Sequence, residues 1–349
     1  MKFVIKNLLL LLLLQACTED KHPENYHIIN FDFDSFSEVE KLKGQKLDIP
    51  DFIDPRRILN LKDYLVVSDD KADFPILILD KKTNTVINKM GVKGRGPGEI
   101  GYIWNIKDSG ADTSFWVYQL EEKQLSEFTV NQTTAFTKSV IEFDSKKNKM
   151  YSGDNIAFSS DTSYMMKMSY GKDKFVEFND MGRPFKFYDT WAHMRDNPTP
   201  DNVISALYNG TFKNDNSREN FILASIEVDV IELLKKKDNE IISLRGPVHF
   251  EPKFSIDYSA GVPLLAIDNK HYKYMYLDAA FGKEFFYALF SGDKSYPCGD
   301  IFVFDYEGNP QKHYQVDRKI KQFDVDETDG KIYALTGGDP QPNIIIFDL

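Results

Sequence analysis

The sequence predicts an all-β fold, specifically a six-bladed β-propeller built from four-stranded antiparallel blades. Among its 349 residues are 27 phenylalanines and 18 tyrosines, and aromatic residues favour strands over helices. Short apolar runs recur along the chain in two matched columns, and turn residues follow most of the runs in one column. Propeller blades have four strands and a repeat of roughly 40–50 residues, which fits this pattern.

One column consists of six runs of apolar, β-branched or aromatic residues. Their starts lie 49, 50, 55, 71 and 43 residues apart. The runs are 76–80, 125–130, 175–179, 230–234, 301–305 and 344–348. Glycine, asparagine or aspartate follows most of them, and these residues supply the positive φ angles that tight hairpins need. We therefore predict a strand at each run, with a hairpin turn after most of them.

The other column precedes the first by about a dozen residues in most units, and each of its members is a predicted buried strand. Its members are 64–67, 115–118, 164–166, 221–224, 285–289 and 332–335. The wider spacings place insertions near residues 190–215 and 245–275. A pair of twisted β-sandwiches is the alternative fold, although sandwiches seldom carry six matched units.

The two ends of the chain predict how the fold closes. The last unit stops at Leu349, directly after its third strand. Residues 27–33 or residues 36–47 could supply the missing fourth strand, which would remove an exposed sheet edge. We therefore predict a single domain over residues 27–349, closed into a ring by an N-terminal strand.

Residues 1–16 have the features of a secretory signal peptide. Lys2 and Lys6 precede an unbroken leucine run from Leu8 to Leu14. This apolar stretch is shorter than the about 20 residues that a membrane-spanning helix needs. Cys17 follows directly and resembles the lipidated cysteine of the bacterial lipoprotein lipobox. The resemblance implies that Cys17 becomes the first residue of the mature chain, with residues 17–26 as a polar tether to a membrane.

Charge and composition exclude several partners and sites. The chain has 54 acidic and 43 basic residues, and its net charge of −11 becomes −13 once residues 1–16 are removed. Nucleic acid needs a basic face, so we expect no nucleic-acid partner. With Cys17 lipidated, Cys298 has no intramolecular partner and is predicted to be an inert thiol. The six scattered histidines form no local metal-binding pair, so we predict no metal and no cofactor.

A glycine-rich stretch over residues 91–100 departs from the pattern of strands and turns. Four glycines and a proline in ten residues cannot form the interior of a regular element. In one interpretation it is a crossover between blades, in which glycines let backbones approach. The structural residues would then be Gly94, Gly96, Pro97 and Gly98. In the other, Arg95, with Glu99 nearby, binds an acidic or carbohydrate ligand, since arginine offers a planar fork of donors.

Two further segments allow both a structural and a functional interpretation. Trp191, His193 and Arg195 lie in the longest irregular insertion, and such loops often carry binding residues. The alternative is an ordered crossover loop packed by Trp191. Residues 324–330 are rich in aspartate, but the acids do not fall at the positions of an EF-hand calcium loop. We predict a hairpin turn at Asp329-Gly330 instead.

The glycine-rich stretch resembles the start of NHL repeats, and the segments from 115–118 to 125–128 keep the NHL order. From residue 25 to 349, the chain resembles the six-bladed, TolB-like propeller lipoproteins of Bacteroidetes. This resemblance rests on the Gly-Pro-Gly-Glu stretch, the repeated strands and the lipobox. It implies an outer-membrane lipoprotein that faces either the periplasm or the cell surface. The acids after Cys17 resemble an export signal to the outer face.

The leading functional hypothesis is a non-enzymatic binding module. A lipid-anchored, monomeric propeller would present one face to a glycan, a peptide or an envelope protein. The sequence contains no nucleophile elbow or other recognisable catalytic motif. The alternative is a propeller hydrolase or lyase with its active site in the central channel. The fold alone does not decide between them.

Overall fold

The computed structural model describes residues 25–94, 99–139, 153–191, 194, 199–294, 296 and 298–349. The predicted signal peptide, Cys17 and most of the tether lie outside these residues. The described chain forms an all-β propeller. Its helical elements are a 3-10 turn at Phe33–Ser35 and one short α-helix, α1 (Asp201–Leu207). The described residues contain no helix that is long and apolar enough to cross a membrane.

The N-terminal segment and four antiparallel units of four strands make up the first part of the fold. The N-terminal strands are β1 (Tyr26–Asn30), β2 (Glu38–Leu42) and β3 (Gln45–Lys46). The first unit contains β4 (Pro55–Leu61), β5 (Tyr64–Asp69), β6 (Ile76–Asp80) and β7 (Thr85–Met90). The second contains β8 (Asn105–Asp108), β9 (Ser114–Gln119), β10 (Gln124–Thr129) and β11 (Gln132–Ser139). The third contains β12 (Gly153–Ser160), β13 (Ser163–Met168), β14 (Asp173–Asn179) and β15 (Pro184–Thr190). The fourth contains β16 (Gly210–Asn214), β17 (Asn220–Ser225), β18 (Val230–Lys235) and β19 (Glu240–Arg245).

The last part of the chain forms a small hairpin and one eight-stranded sheet. The hairpin consists of β20 (Phe254–Asp257) and β21 (Leu264–Ile267). The strands of the sheet, besides β2 and β3, are β22 (Tyr274–Phe281), β23 (Phe285–Asp293), β24 (Cys298–Asp305), β25 (Pro310–Asp326), β26 (Lys331–Thr336) and β27 (Ile344–Asp348). The 17-residue strand β25 pairs mainly through its first half with β24 and through its second half with β26. It therefore joins two four-stranded groups into one sheet.

All twelve apolar runs of the sequence are strands, which confirms the two predicted columns. The column of runs from 64–67 to 332–335 becomes β5, β9, β13, β17, β23 and β26. The column of runs from 76–80 to 344–348 becomes β6, β10, β14, β18, β24 and β27. Each strand of this column pairs antiparallel with the strand before it. These strands are buried on both faces, as Ile76 to Leu79 illustrate, which explains why their sequences are continuously apolar.

The two predicted insertions are also present, and they pack against each other. Helix α1 lies in the first, and the hairpin β20–β21 lies in the second. Trp191 and Leu207 pack in one apolar cluster with Val228, against which Phe254 and Leu265 are placed. The insertions therefore form a small satellite core beside the sheets.

The segment 25–47, which we call the N-terminal strap, runs across the outer strands of three strand groups. The prediction that residues 36–47 pair with the last unit is confirmed, because β3 pairs antiparallel with β27. Residues 27–33 do not pair there. Instead, β1 lies parallel to β19, and β2 lies parallel to β25. The strap thus covers strand edges that would otherwise be exposed.

Phenylalanines fasten the strap to the sheets. The ring of Phe36 stacks on Phe302 with centroids 4.9 Å apart, and the ring of Phe31 meets Phe304 edge-on at 5.1 Å. Both strap residues belong to the same buried cluster as the apolar face of β23 and β24. The strap is therefore part of the hydrophobic core.

The strands are joined at two ends that differ in character. At the tight-turn end, short turns join the first strand of each unit to the second and the third to the fourth. They include 62–63, 81–84, 180–183, 236–239, 306–309 and 327–330. Asn84, Gly182, Asn239, Gly308 and Gly330 have positive φ angles in these turns, as the turn residues predicted. At the long-connection end, longer segments join successive units, and further turns join the second strand to the third. The longer segments include 91–104, 191–209 and 246–273. The turns between second and third strands include 70–75, 169–172 and 226–229.

Candidate functional site

The first strands of the units enclose a cavity of about 1120 Å³, which we call the axial cavity. Residues of β4, β8, β16 and β25 line it, and it extends to the turns of the tight-turn end. We count β22 and β25 as the first strands of the two groups in the eight-stranded sheet. Neighbouring first strands contact one another, namely β4 with β8, β12 with β16, β16 with β22, β22 with β25, and β25 with β4. The cavity therefore collects side chains from distant parts of the sequence.

Several polar side chains around the axial cavity bind the edges of neighbouring strands. Asp324 accepts a hydrogen bond from the backbone N–H of Asn60 at 2.8 Å, and Asp278 accepts one from Phe323 at 3.0 Å. The Nδ2 of Asn155 donates to the Gly210 carbonyl at 2.9 Å. β4 and β16 lie at sheet edges, and residues 321–326 of β25 pair on one side only, with β26, so their backbone groups need partners from outside their own sheet. These side chains therefore have a structural role.

Two lysines and two aspartates give the axial cavity its acid–base character. The Nζ of Lys107 donates to the Phe212 carbonyl at 2.5 Å, and the Nζ of Lys213 lies 3.3 Å from Asp278 Oδ1. Burial lowers the pKa of Lys107 to about 7, and the charge of Lys213 contributes to this shift. Burial also raises the pKa of Asp324 to about 6. An amine and a carboxyl that titrate near neutrality in one cavity can exchange protons with a bound molecule.

Lys81 links two turns at the tight-turn end of the cavity. Its side chain is 5% exposed, and its Nζ lies 2.5 Å from Asp326 Oδ2 and 3.4 Å from Asp329. The predicted hairpin at Asp329-Gly330 is confirmed as the turn between β25 and β26. Within the part of the chain that the structure describes, no three His, Cys, Asp or Glu side chains are grouped to hold a metal ion.

The long-connection end carries a different group, which we call the aromatic–arginine cluster. Its members are Arg57, Tyr102, Trp104, Tyr272, Tyr274 and Tyr296. The Nε of Arg57 donates to the Trp104 carbonyl at 2.7 Å, and the Trp104 and Tyr102 ring centroids are 6.2 Å apart. Tyr274 meets both other tyrosines edge-on, with centroids 5.2 Å from Tyr296 and 4.8 Å from Tyr272. The two groups lie at the same end of the fold, and the charge of Arg57 acts on Tyr296.

Two tyrosines of this cluster face solvent. Tyr102 is 42% exposed, and Tyr296 is 40% exposed. Although the side chain is partly exposed, desolvation raises the pKa of the Tyr296 hydroxyl, and the positive charge of Arg57 opposes the rise. The guanidinium therefore lies within electrostatic reach of that hydroxyl. Exposed aromatic faces beside an arginine can stack on a sugar ring or a peptide side chain and donate hydrogen bonds to it.

Comparison with known families identifies the fold. The family described as TolB-like 6-blade propeller-like matches residues 32–328, a range that includes β4, β8, β16 and β25. The chain belongs to this TolB-like family. A comparison with curated proteins finds no match.

Two solved structures resemble this TolB-like propeller. One is a member of the DUF4221 family from Bacteroides vulgatus, with 11% identity and a TM-score of 0.54, which covers 88% of this chain and 96% of that chain. The other is a protein of Bacteroides fragilis named as a candidate exported protein, with 10% identity and a TM-score of 0.54. That match covers 92% of this chain and 98% of the other. At such identities the likeness concerns the fold alone.

The glycine-rich stretch of the TolB-like propeller lies in the connection from β7 to β8. The described residues on either side close a small loop, in which the Gly94 N–H donates to Ile100 O at 3.0 Å. A Cβ at Gly94 would lie 1.9 Å from the Glu99 carboxylate, so the glycine allows a close approach. Arg95, Gly96, Pro97 and Gly98 lie outside the described residues, so the ligand-binding prediction for Arg95 stays a prediction.

Trp191, a predicted binding residue, is fully buried in this structure. Its ring packs near Tyr208, with centroids 6.4 Å apart, and the Nζ atoms of Lys167 and Lys174 lie 5.7 and 5.3 Å from it. This packing matches the alternative of a crossover loop held by Trp191. His193 and Arg195 lie outside the described residues.

A buried ion cluster lies next to Trp191. The ammonium of Lys174 contacts Glu232 and lies 3.3 Å from Asp189. Burial lowers the pKa of Lys174, but the charges of Glu232 and Asp189 outweigh this and raise it overall. The cluster joins β14, β15 and β18, so its role is to connect two units.

Sequence reasoning missed the principal residues of both sites. Lys107 and Lys213 stand in the short strands β8 and β16, and Asp324 stands in the second half of β25. These segments are too polar to match the apolar columns. A search for polar residues just before each run of the column that begins with 64–67 would have found them. Cys298, predicted to be inert, is buried, and burial raises its pKa well above the usual range, which keeps the thiol protonated.

Proposed function

We propose that this chain is a lipid-anchored cell-envelope propeller that binds a glycan, a peptide or an envelope protein without chemical conversion. The observation that carries the proposal is the aromatic–arginine cluster. Tyr102, which is partly exposed, packs near Trp104, whose carbonyl accepts from Arg57. Tyr296, also partly exposed, lies within electrostatic reach of Arg57. The predicted signal peptide, the lipobox cysteine Cys17 and a fold shared with a candidate exported protein support an envelope location. Under this proposal the protein is an outer-membrane lipoprotein and a monomer.

The proposal includes six blades in a closed ring. Three features support it, namely the family's six-bladed description, the division of the eight-stranded sheet at β25, and the contact of β25 with β4. The pairing of β3 with β27 would complete the last blade. A crystal structure with another number of blades, or with a gap between β25 and β4, would contradict this part.

The binding proposal is tested with a glycan and peptide array probed with the soluble chain from residue 22. We expect a discrete set of ligands, and we expect the Tyr296→Ala variant to lose most of that binding. Tyr296 is already partly exposed, so its replacement should leave the fold intact. The matched control is Phe185→Ala, which removes an exposed aromatic ring from β15. Equal loss in both variants, or none in either, would count against the cluster as the site.

The alternative is a hydrolase or lyase that uses the axial cavity. Lys107 and Asp324 favour it, because both titrate near neutrality within one cavity. The polysaccharides and peptides bound on the array should then be cleaved on incubation, and Lys107→Met should abolish the cleavage. Binding that leaves every ligand intact over long incubation supports the binding module.

A further inference from the structure

The N-terminal strap leaves the tether at a defined place on the fold. The Nδ2 of Asn25 donates to the Asp238 carbonyl at 3.1 Å, and the Asn25 carbonyl accepts from the Ile241 N–H at 2.9 Å. Asp238 lies in the turn between β18 and β19, which belongs to the tight-turn end. Whatever precedes Asn25 therefore joins the propeller at that end.

The length of chain before Asn25 limits how far a lipid on Cys17 could lie. Seven residues separate Cys17 from Asn25. Fully extended, that chain reaches about 27 Å, and as a flexible coil it spans about 16 Å. The six residues of β18 place the two ends of the sheets about 20 Å apart. The long-connection end could therefore reach the membrane only if these residues were stretched over most of their maximum length, which costs conformational entropy.

We propose that the tight-turn end of the propeller faces the lipid bilayer and that the long-connection end, with the aromatic–arginine cluster, points away from it. This inference rests on the proposed lipid anchor at Cys17. It gives the binding module a direction, because ligands would arrive from the aqueous side. The axial cavity, which extends to the tight-turn end, would open toward the membrane.

The proposed orientation does not depend on a basic membrane-facing patch. Two lysines at the tight-turn end pair with acids, Lys62 with Asp112 at 2.8 Å and Lys235 with Glu307 at 2.5 Å. A paired lysine offers little net attraction to anionic headgroups. Because the proposal assigns the orientation to the attachment point, the orientation should hold on neutral and anionic membranes alike.

Fluorescence energy transfer from a labelled cysteine to the membrane tests the orientation. The full chain is made in a host that lipidates lipoproteins and is reconstituted in phosphatidylethanolamine–phosphatidylglycerol vesicles carrying a rhodamine-labelled lipid. Lys82→Cys and Lys237→Cys place the donor at the tight-turn end, and Tyr170→Cys places it at the long-connection end. All three positions are exposed, whereas the native Cys298 is buried.

We expect transfer from positions 82 and 237 to exceed transfer from position 170 by about twofold or more, given the about 20 Å between the ends. Equal transfer from all three positions, or more from position 170, would overturn the orientation while leaving the anchor intact. Flotation of the unlabelled chain tests the anchor separately, with Cys17→Ala as control. If the full chain fails to float with the vesicles, both the anchor and the orientation are wrong.

Discussion

The two ends of the propeller use polar side chains in different ways. At the tight-turn end, acids and amides bind the backbone of their own turn. The Asp80 carboxylate accepts from the N–H groups of Lys82 and Thr83 at 2.9 and 2.8 Å, and Asp305 does the same for Glu307 and Asn309. At the long-connection end, the Arg57 side chain donates to the Trp104 carbonyl of the next unit, and aromatic rings pack against one another, as Tyr274 and Tyr296 do.

This difference explains where function is expected. A turn that uses its own polar groups to fix its backbone has little hydrogen-bonding capacity left for a ligand. Long connections are free of the geometry that tight hairpins impose, and several of them meet at one end of the fold. Binding residues therefore concentrate on such connections, while the sheets and tight turns hold them in place.

The largest expected effect comes from removing the N-terminal strap. The strap pairs with three strand groups, so both ends of the propeller depend on it. A chain that begins at residue 48 loses the buried side chains of Phe31, Phe36 and Leu42. Each fully buried side chain of this size contributes about 1.5–3 kcal/mol, so we expect a loss of roughly 5 kcal/mol or more. Thermal unfolding followed by circular dichroism should show a much lower Tm or no cooperative transition.

The control for this deletion is a chain that begins at residue 25, which keeps the whole strap. It should unfold at the same temperature as the chain from residue 22. If the chain from residue 48 matched both of them, the strap would be dispensable, and closure by an N-terminal strand would be wrong.

A smaller but still large effect is expected at Trp191, which tests whether the long connections are as well packed as the sheets. Trp191→Ala removes a fully buried ring from the satellite core and should cost about 3–5 kcal/mol. The matched change at the tight-turn end is Met181→Ala, at a side chain that is 55% exposed. We expect it to alter the free energy of unfolding by no more than about 0.5 kcal/mol. Urea titration measures both, and a negligible cost at Trp191 would mean that the insertions are loosely attached.

The strands that build the sheets were predictable from sequence, but the sites between them were not. Runs such as Ile76–Asp80 are continuously apolar because both of their faces are buried, so burial leaves a direct signature in the sequence. The segment at residues 36–47 was one of two candidates for pairing, and only the structure separates them. Lys107 and Asp278 lie 171 positions apart in the sequence, and only the packing of separate strand groups brings their charges within electrostatic reach of each other.

The smallest expected effect concerns the pH dependence set by Lys107 in the axial cavity, which extends to the tight-turn end. Its folded-state pKa of about 7 is below the ordinary lysine pKa of 10.5, so between these values the unfolded chain binds more protons than the folded one. The free energy of unfolding should then rise with pH in this window, by at most about 1.4 kcal/mol per pH unit for one proton. Lys107→Met removes the group and should flatten that rise.

The measurement is urea unfolding of the native chain and the variant at several values between pH 7 and pH 9. Asp324 does not interfere, because its raised pKa of about 6 makes stability fall with pH only below that window. Lys82→Met, at an exposed turn residue of the tight-turn end, should keep the native slope. If Lys107→Met keeps it too, the amine of Lys107 is solvated rather than desolvated, and the cavity would be an extension of the wet tight-turn surface rather than a separate acid–base site.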